Sequence, residues 1–167
     1  AGRVTWATCV DAAIDLARVV GRLNECGFIV ADLCPDNLFV WLTGGRITLC
    51  DVDSFQFQGS DGHRYESAVI RGEYSRPKSL GNSRTRYKAD DRFALGIVIG
   101  QILLEGVHPF AGVPKDIEEQ SSGDDQDVWN IRNGRSWVLE QDRVTVPPTT
   151  LSARSVLPSG LLSLMAN

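Results

Sequence analysis

The sequence predicts an α+β fold that is mainly helical, with one small β-hairpin between two long helices. Apolar residues recur at helical spacing over residues 8–26, and an almost continuously apolar run over residues 93–104 is typical of a central, buried helix. Between them, two short apolar runs flank a Thr-Gly-Gly turn within residues 38–50. With 43% hydrophobic and 23% charged residues among 167, the chain has the composition and length of one globular domain with a substantial core.

The first helix is predicted from apolar residues three and four positions apart across residues 8–26. Residues 24–27 read NECG, which is typical of a helix C-terminus with Gly27 in the left-handed conformation. The next three apolar residues, 28–30, predict a short buried strand that leads into a loop.

The hairpin is the most informative element, because its geometry relates two distant polar residues. If residues 38–42 and 46–50 pair around the glycines, the residue before the first strand lies beside the residue after the second. Asn37 and Asp51 would then converge, with Asp32 on the loop leading in. Three oxygen-bearing side chains at one end of a hairpin suit Mg²⁺, which takes one or two protein oxygens and leaves its other positions to water and nucleotide.

Downstream, the pattern predicts one long helix and one short helix joined by polar loops. The long helix runs from residue 89 or 90 to residue 105 and is ended by Gly106. The short helix covers residues 127–132 and is closed by Asn133-Gly134. The predicted loops are residues 54–71, 116–125 and 135–157.

Composition excludes several classes of function. The net charge of −4 gives no electrostatic reason to expect nucleic acid or an anionic membrane as a partner. The four cysteines lack CxxC spacing, so zinc is not expected, and reduced thiols are favoured over disulfides. The longest apolar run is too short to cross a membrane. No signal peptide is visible, so a cytoplasmic protein is expected, although the sequence starts with Ala rather than Met and a leader could precede it.

Residues 32–51 resemble the protein kinase superfamily. The kinase catalytic loop ends in Asp, four residues and Asn, and residues 32–37 read DLCPDN. The family then has an aspartate that opens Asp-Phe-Gly, and residues 51–53 read DVD. Three further stretches follow in the family's order. Residues 72–78 resemble the Ala-Pro-Glu segment, residues 90–96 resemble the start of the central helix, and residues 106–112 resemble the Pro-Phe segment after it.

The resemblance covers roughly residues 8–165. Within the superfamily, three stretches resemble a bacterial group of kinase-domain proteins described with a helix-hairpin-helix region: DVDSFQ (51–56), HPFAG (108–112) and IRNG (131–134). No such region is visible here. The stretch before Asp32 contains no glycine-rich phosphate loop and no Val-Ala-Ile-Lys strand. Residues 161–164 look like the start of another helix. The resemblance therefore implies that residues 1–167 form a single domain, the C-terminal lobe of a kinase without its N-terminal lobe, and that this fragment alone is inactive.

The resemblance also implies the roles of the site residues. Asp32 would be the catalytic residue that orients the attacking hydroxyl. Asn37 and Asp51 would hold Mg²⁺, and Phe39 would lie beneath the adenine of ATP. Taken alone, Asp32 is better interpreted as a turn aspartate, and only its spacing to Asn37 and Asp51 favours the catalytic role. The alternatives for the others are a loop asparagine for Asn37, a strand-ending aspartate for Asp51 and an ordinary core aromatic for Phe39. Asp53 replaces the family's glycine and would either add a ligand or only repel Asp51.

Four further residues depart from the family's pattern. Residues 30–31 read VA instead of His-Arg, which removes the usual receptor for an activating phosphate. Cys34 stands where Ser/Thr kinases have a lysine that steadies the transferred phosphate. Lys78 replaces the glutamate of Ala-Pro-Glu, so the usual buried ion pair with a later arginine cannot form in its normal sense. By contrast, Asp91 matches the family's aspartate, which braces the catalytic-loop backbone.

Two functions follow as alternatives. The first is phosphoryl transfer from Mg-ATP to Ser or Thr of a protein substrate by an atypical bacterial protein kinase, with residues 54–78 as the substrate-facing wall. The alternative is a pseudokinase that serves as a nucleotide- or partner-binding scaffold. The first is favoured because carboxylates that converge without a cation repel one another. A small-molecule phosphotransferase ranks below both, because the Pro77 and Pro109-Phe110 segments resemble protein kinases more closely.

Overall fold

The computed structural model describes residues 4–67, 71–81, 84–120, 125–140, 142–146, 154–155 and 157–160. In this part of the chain the helices are α1 (Trp6–Glu25), α2 (Lys88–Leu103) and α3 (Gln126–Asn133). The strands form antiparallel pairs: β1 (Leu38–Trp41) with β2 (Arg46–Leu49), β3 (Phe57–Gln58) with β4 (Arg64–Tyr65), and β5 (Val113–Pro114) with β6 (Val144–Thr145). The predicted α+β class, with most regular structure helical, is confirmed.

Helix α1 begins slightly before its predicted start because Thr5 caps it. The Thr5 hydroxyl accepts a hydrogen bond from the Thr8 amide at 3.2 Å, which satisfies one of the free amides of the first turn. At the other end Gly27 has a φ of 90°, as its sequence context predicts. The buried face of α1 includes Ala12, Leu16 and Val20.

Helix α2 is the central element, as predicted. Its first turn carries two buried carboxylates, Asp90 and Asp91, and the Tyr87 amide donates to Asp90 at 2.8 Å. The helix ends before Glu105 and Gly106, which have φ values of 56° and 88°. Two consecutive left-handed residues cannot continue a right-handed helix.

Buried apolar side chains form two clusters, and both draw on α1 and α2. The first lies beneath the β1–β2 hairpin and consists of Ala12, Leu16, Val20, Val30, Leu33, Ile47, Ala94 and Val98. The second lies beneath the β5–β6 pair and consists of Ala13, Leu103, Leu104, Trp137, Val138, Val144 and Leu157. The long helices therefore connect the hairpin half of the molecule to its C-terminal half.

The β1–β2 hairpin sits directly on α1. The Asp15 carboxylate accepts a hydrogen bond from the Ile47 amide at 2.8 Å. At the turn, Gly45 has a φ of 61°, and a Cβ there would lie 2.6 Å from the Asp11 Cβ and 2.7 Å from the Thr8 carbonyl oxygen. Glycine is required at this position by both backbone conformation and close approach.

Three predictions of local structure are corrected. Residues 28–30 do not form a strand; Ile29 makes only an isolated bridge with Gln56, because the chain turns at Ala31, whose φ is 66°. The predicted loop over residues 54–71 contains the β3–β4 pair, where the Phe57 and Tyr65 rings stack with centroids 4.6 Å apart. The predicted loop over residues 135–157 contains β6.

Other predictions are confirmed or lie outside the described residues. Helix α3 covers the predicted short helix, and Gly134 closes it with a φ of 67°. Residues 161–164, where a further helix was expected, lie outside the described part. Within that part, no helix combines the length and the apolar character that crossing a membrane requires.

Candidate functional site

The open end of the β1–β2 hairpin brings together the backbone positions that the sequence predicted. Leu38 pairs with Leu49 at this end, and the Cys50 amide donates to the Asn37 carbonyl oxygen at 3.0 Å. Asn37 therefore lies opposite Cys50, and Asp51 is the next residue along the chain.

Asp32 and Asn37 are joined by direct hydrogen bonds. The Asn37 side-chain amide donates to the Asp32 carboxylate at 2.9 Å and to the Asp32 carbonyl oxygen at 3.0 Å. Both residues are buried, with 5% and 8% of their surface exposed. The Asn37 Oδ1 accepts no hydrogen bond from any described residue. The amide therefore orients Asp32 with its nitrogen and keeps an oxygen for another ligand.

Asp51 presents its carboxylate to solvent from a left-handed backbone, with φ 59° and ψ 52°. The pKa of Asp51 is raised above its ordinary value, first by a hydrogen bond with Asp53 and by the charge of that carboxylate, and further by burial and by the charge of Asp32. Three acidic side chains therefore act on one another here. A cation would relieve this repulsion.

The donor set fits Mg²⁺ and not a fully protein-ligated metal. Asp51 and Asn37 offer hard oxygen ligands of the kind Mg²⁺ prefers. Among the described residues, no group of three or more His, Cys, Asp or Glu side chains is placed to hold a metal ion. A Mg²⁺ ion at this position would complete its shell with water and phosphate oxygens, as Mg²⁺ does at nucleotide sites.

The backbone before Asp32 is held in a rare conformation by Asp91. Ala31 has a φ of 66°, which costs a non-glycine residue of the order of 1–3 kcal/mol. The Asp91 carboxylate accepts hydrogen bonds from the Val30 amide at 2.8 Å, the Ala31 amide at 3.0 Å and the Asn24 side chain at 2.6 Å. Burial raises the pKa of Asp91, and these three donors lower it in part. The predicted bracing role of Asp91 is confirmed.

Arg71 belongs to the site, and the sequence reasoning missed it. Its Nε lies 3.1 Å from one Asp32 carboxylate oxygen and 3.4 Å from the other, and its Nη1 lies 3.0 Å from an Asp36 carboxylate oxygen. Burial alone would lower the pKa of Arg71, but the charge of Asp32, followed by the hydrogen bond with Asp36 and its charge, leaves it raised. One signal in the sequence could have indicated Arg71. Cys34 stands where the resembling family has a lysine, so a positive charge would have to come from another part of the chain.

Cys34 is fully buried beside Asp32. Burial, followed by the charge of Asp32, raises the pKa of the Cys34 thiol. The thiol is therefore neutral at physiological pH and brings no charge to the site.

Phe39 is exposed rather than part of the core. It lies opposite Thr48 in the hairpin and is 64% exposed. Because side chains alternate along a strand, Trp41 shares its face, while Leu38 and Val40 line an apolar cavity of about 460 Å³ against α1 and α2. The interpretation of Phe39 as an ordinary core aromatic is wrong.

An ion pair fastens the segment 71–79 to the start of α2. Arg76 Nε lies 2.6 Å from Asp90, and the Ser79 hydroxyl donates to the same carboxylate. The fully buried Arg86 has its Nη1 4.0 Å from Asp90. Lys78, at the position of the family's glutamate, takes no part in this ion pair. In this ion pair the cation is Arg76 of the segment 71–79, and the carboxylate is Asp90 of α2.

Comparison with known proteins supports a kinase-like character. No protein-family model matches the chain. The chain is 26% identical over 159 residues to Protein kinase YegI of Escherichia coli, and 26% identical over 158 residues to the protein of the same name in a second strain. Each match covers 92% of this chain and 24% of the relative, so the chain spans about a quarter of the length of these proteins. Over nearly all of its length, the chain is similar to proteins named as protein kinases.

Proposed function

We propose that this chain supplies the catalytic and metal-binding side of a site that transfers phosphate from Mg-ATP to a Ser or Thr hydroxyl of a protein. The observation that carries the proposal is the open end of the hairpin. There the buried Asp32 carboxylate is hydrogen-bonded by Asn37, and Asp51 follows the residue paired with Asn37. The similarity to proteins named as kinases supports the same reaction.

In this proposal Asp32 positions the attacking hydroxyl. The hydroxyl oxygen forms a bond to the γ-phosphorus, the bond from that phosphorus to the oxygen bridging to ADP breaks, and the hydroxyl proton passes to the Asp32 carboxylate. Two donors, Asn37 and Arg71, fix the orientation of this carboxylate. Positioning of this kind is a major part of catalysis in phosphoryl transfer.

Asp51 and the Oδ1 of Asn37 are the proposed metal ligands. These two residues would hold Mg²⁺, which would supply positive charge against the phosphates of ATP. The raised pKa of Asp51, caused mainly by Asp53, indicates a surplus of negative charge at this position. Phe39, exposed on the outer face of the hairpin, is the proposed surface for the adenine ring.

The clustered carboxylates favour an enzyme over a scaffold. A docking module has no physical need for Asp32, Asp51 and Asp53 to act on one another, since such repulsion lowers stability unless a cation is bound. The left-handed Ala31 and Asp51, which flank the site on both sides, add further strain. Strained backbone of this kind concentrates at functional sites.

The test is Asp51→Asn in the full-length protein. We expect Mg²⁺-dependent transfer of labelled γ-phosphate to a protein substrate to fall by about 10²–10³-fold, because the amide carries no charge to bind the metal. Asp116→Asn is the matched control, since Asp116 caps the short turn after β5 through the Glu118 amide and contacts no described residue of the candidate site. Nucleotide binding is measured in parallel by calorimetry with and without Mg²⁺.

Unchanged turnover in Asp51→Asn would remove the metal assignment. Nucleotide binding by the wild-type protein without phosphate transfer to any acceptor would favour the scaffold function instead. Equal loss of transfer in Asp116→Asn would show that the effect of Asp51→Asn is not specific to the site.

A further inference from the structure

Arg71 is held at the candidate site by two carboxylates and keeps part of its guanidinium free. Its Nε is bonded to Asp32 and its Nη1 to Asp36. Its Nη2 makes no hydrogen bond to any residue that the structure describes, and the side chain is 33% exposed. Among the described residues, the guanidinium is therefore anchored through two nitrogens, and its third nitrogen has no partner.

No other cation among the described residues touches Asp32. The neighbouring loop position, Cys34, is buried and neutral, whereas Asp36 and Asp51 bring further negative charge. Apart from the proposed Mg²⁺, a phosphoryl group approaching Asp32 would meet only negative charges among the described residues were it not for Arg71. Such an arrangement would oppose binding of a triphosphate by charge repulsion.

The segment that carries Arg71 is fixed to the rest of the fold. The Ser75 hydroxyl donates to the Arg71 carbonyl oxygen at 2.7 Å and accepts from Arg86 Nη2 at 3.1 Å. Further along, Arg76 is paired with the buried Asp90. Arg71 is therefore presented by an ordered turn and not by a free loop, which reduces the entropy lost when it binds a ligand.

We propose that Arg71 is a catalytic residue that binds the transferred phosphoryl group and supplies the positive charge that Cys34 cannot. This role rests on the proposed phosphotransferase function and adds a residue to it. The Nη2 donors would contact the equatorial oxygens of the γ-phosphoryl group while the Nε keeps Asp32 in place.

The chemistry of arginine suits this role. A guanidinium has five N–H donors in a planar fork and stays charged at all physiological pH values. In phosphoryl transfer the charge is spread over the three equatorial oxygens in the transition state, so a fixed cation beside them lowers the barrier. One side chain can thus orient the acceptor-activating carboxylate and stabilise the transferred group.

The experiment compares Arg71→Gln with Arg71→Lys in the full-length protein. For Arg71→Gln we expect kcat to fall by about 10²–10³-fold, with the KM for ATP changed much less. Calorimetry with ADP and with a non-hydrolysable ATP analogue provides a readout apart from activity. We expect the preference for the triphosphate to fall by about tenfold and the affinity for ADP to remain unchanged, since only the triphosphate reaches Arg71. Arg71→Lys keeps the positive charge, so it should retain part of kcat and part of the preference for the triphosphate.

Arg143→Gln is the matched control, because Arg143 also bridges two carboxylates, Glu119 and Glu140, but contacts neither Asp32 nor Asp36. Urea unfolding of each variant shows whether the fold is kept. If Arg71→Gln does not fold, Arg71→Lys decides: a retained preference for the triphosphate supports the proposal, and its loss overturns it.

The outcomes separate the inference from the function on which it rests. If the wild-type protein transfers phosphate and Arg71→Gln is equally active, or more active, Arg71 only occupies Asp32 and the inference is wrong while the proposed function stands. If the wild-type protein neither binds nucleotide nor transfers phosphate, the proposed function fails and the role of Arg71 fails with it.

Discussion

Asp90 shows how a single buried charge fastens the segment 71–79 to the core. Its carboxylate accepts hydrogen bonds from Arg76 at 2.6 Å, from the Tyr87 amide at 2.8 Å and from the Ser79 hydroxyl. Only 5% of the surface of Asp90 is exposed, so its buried charge would strongly destabilise the fold without these donors. Because Arg71 lies on the same segment, the position of the candidate phosphate-binding cation depends on this carboxylate.

We expect Asp90→Asn to lower the free energy of unfolding by about 3 kcal/mol, because it leaves Arg76 and the buried Arg86 without a counter-charge. Urea denaturation at neutral pH measures the change. Asp116→Asn, on an exposed turn, serves as the control and should shift stability by less than about 0.5 kcal/mol. A loss of that smaller size in Asp90→Asn would mean that the ion pair contributes nothing.

The same variant has a defined dependence on pH. Burial alone would raise the pKa of Asp90, but its hydrogen bonds with Arg76, Ser79 and Tyr87 leave the pKa below its ordinary value. A carboxyl with a lowered folded pKa stabilises the protein above its unfolded pKa of about 3.9 and loses that contribution as the pH falls through the folded value. The difference in stability between wild type and Asp90→Asn should therefore be constant near neutrality and shrink below about pH 4. A difference that grows on acidification would contradict this assignment.

At the scale of elements, the site depends on how the hairpin is seated on α1. The turn residue Gly45 touches the helix backbone, since a Cβ there would lie 2.7 Å from both the Ala12 nitrogen and the Thr8 carbonyl oxygen. Gly44, its neighbour, also has a positive φ, but a Cβ there would meet nothing within 4 Å. Both glycines therefore need the left-handed backbone conformation, but only Gly45 is also packed against α1.

This pair gives a matched experiment. Gly44→Ala should cost about 1–2 kcal/mol, the penalty of a left-handed non-glycine residue. Gly45→Ala should lower the free energy of unfolding by about 1 kcal/mol more than Gly44→Ala does, because the methyl group collides with the α1 backbone and displaces the hairpin. Thermal and urea unfolding of both variants measure the difference. Equal destabilisation would show that the hairpin does not need this close approach.

The elements also show what the sequence could and could not reveal. The helices and the β1–β2 hairpin were predictable because periodicity and turn glycines are local signals. The β3–β4 and β5–β6 pairs are two residues long on each side, which is too short for an alternating pattern to stand out. Arg71 was missed for a related reason: it lies 39 residues from Asp32 in sequence, and no local rule connects them. The adjacency of Asn37 and Asp51 in the backbone was predictable, because the hairpin itself relates these two positions.

At the scale of the whole molecule, the two buried clusters share their helices. Ala12 and Ala13 are consecutive on α1, yet one belongs to the cluster beneath the hairpin and the other to the cluster beneath β5–β6. Likewise α2 contributes Val98 to the first cluster and Leu103 to the second. Loss of packing in one half should therefore weaken the helices that support the other. We infer that the chain is one cooperative domain.

Leu16→Ala tests this cooperativity. Leu16 is fully buried in the cluster beneath the hairpin, so truncation should cost about 3 kcal/mol. Far-UV circular dichroism reports the helices. Tryptophan fluorescence, measured with the other three tryptophans replaced by phenylalanine, reports Trp137, which is fully buried in the other cluster. If the chain is one domain, both signals shift together to the same lower urea midpoint. The control, Ile117→Ala, removes a side chain that is 81% exposed and should leave both midpoints in place. A fluorescence midpoint that stays at the wild-type value while the dichroism midpoint falls would show two independently folding halves, because the damage at Leu16 would then not reach Trp137.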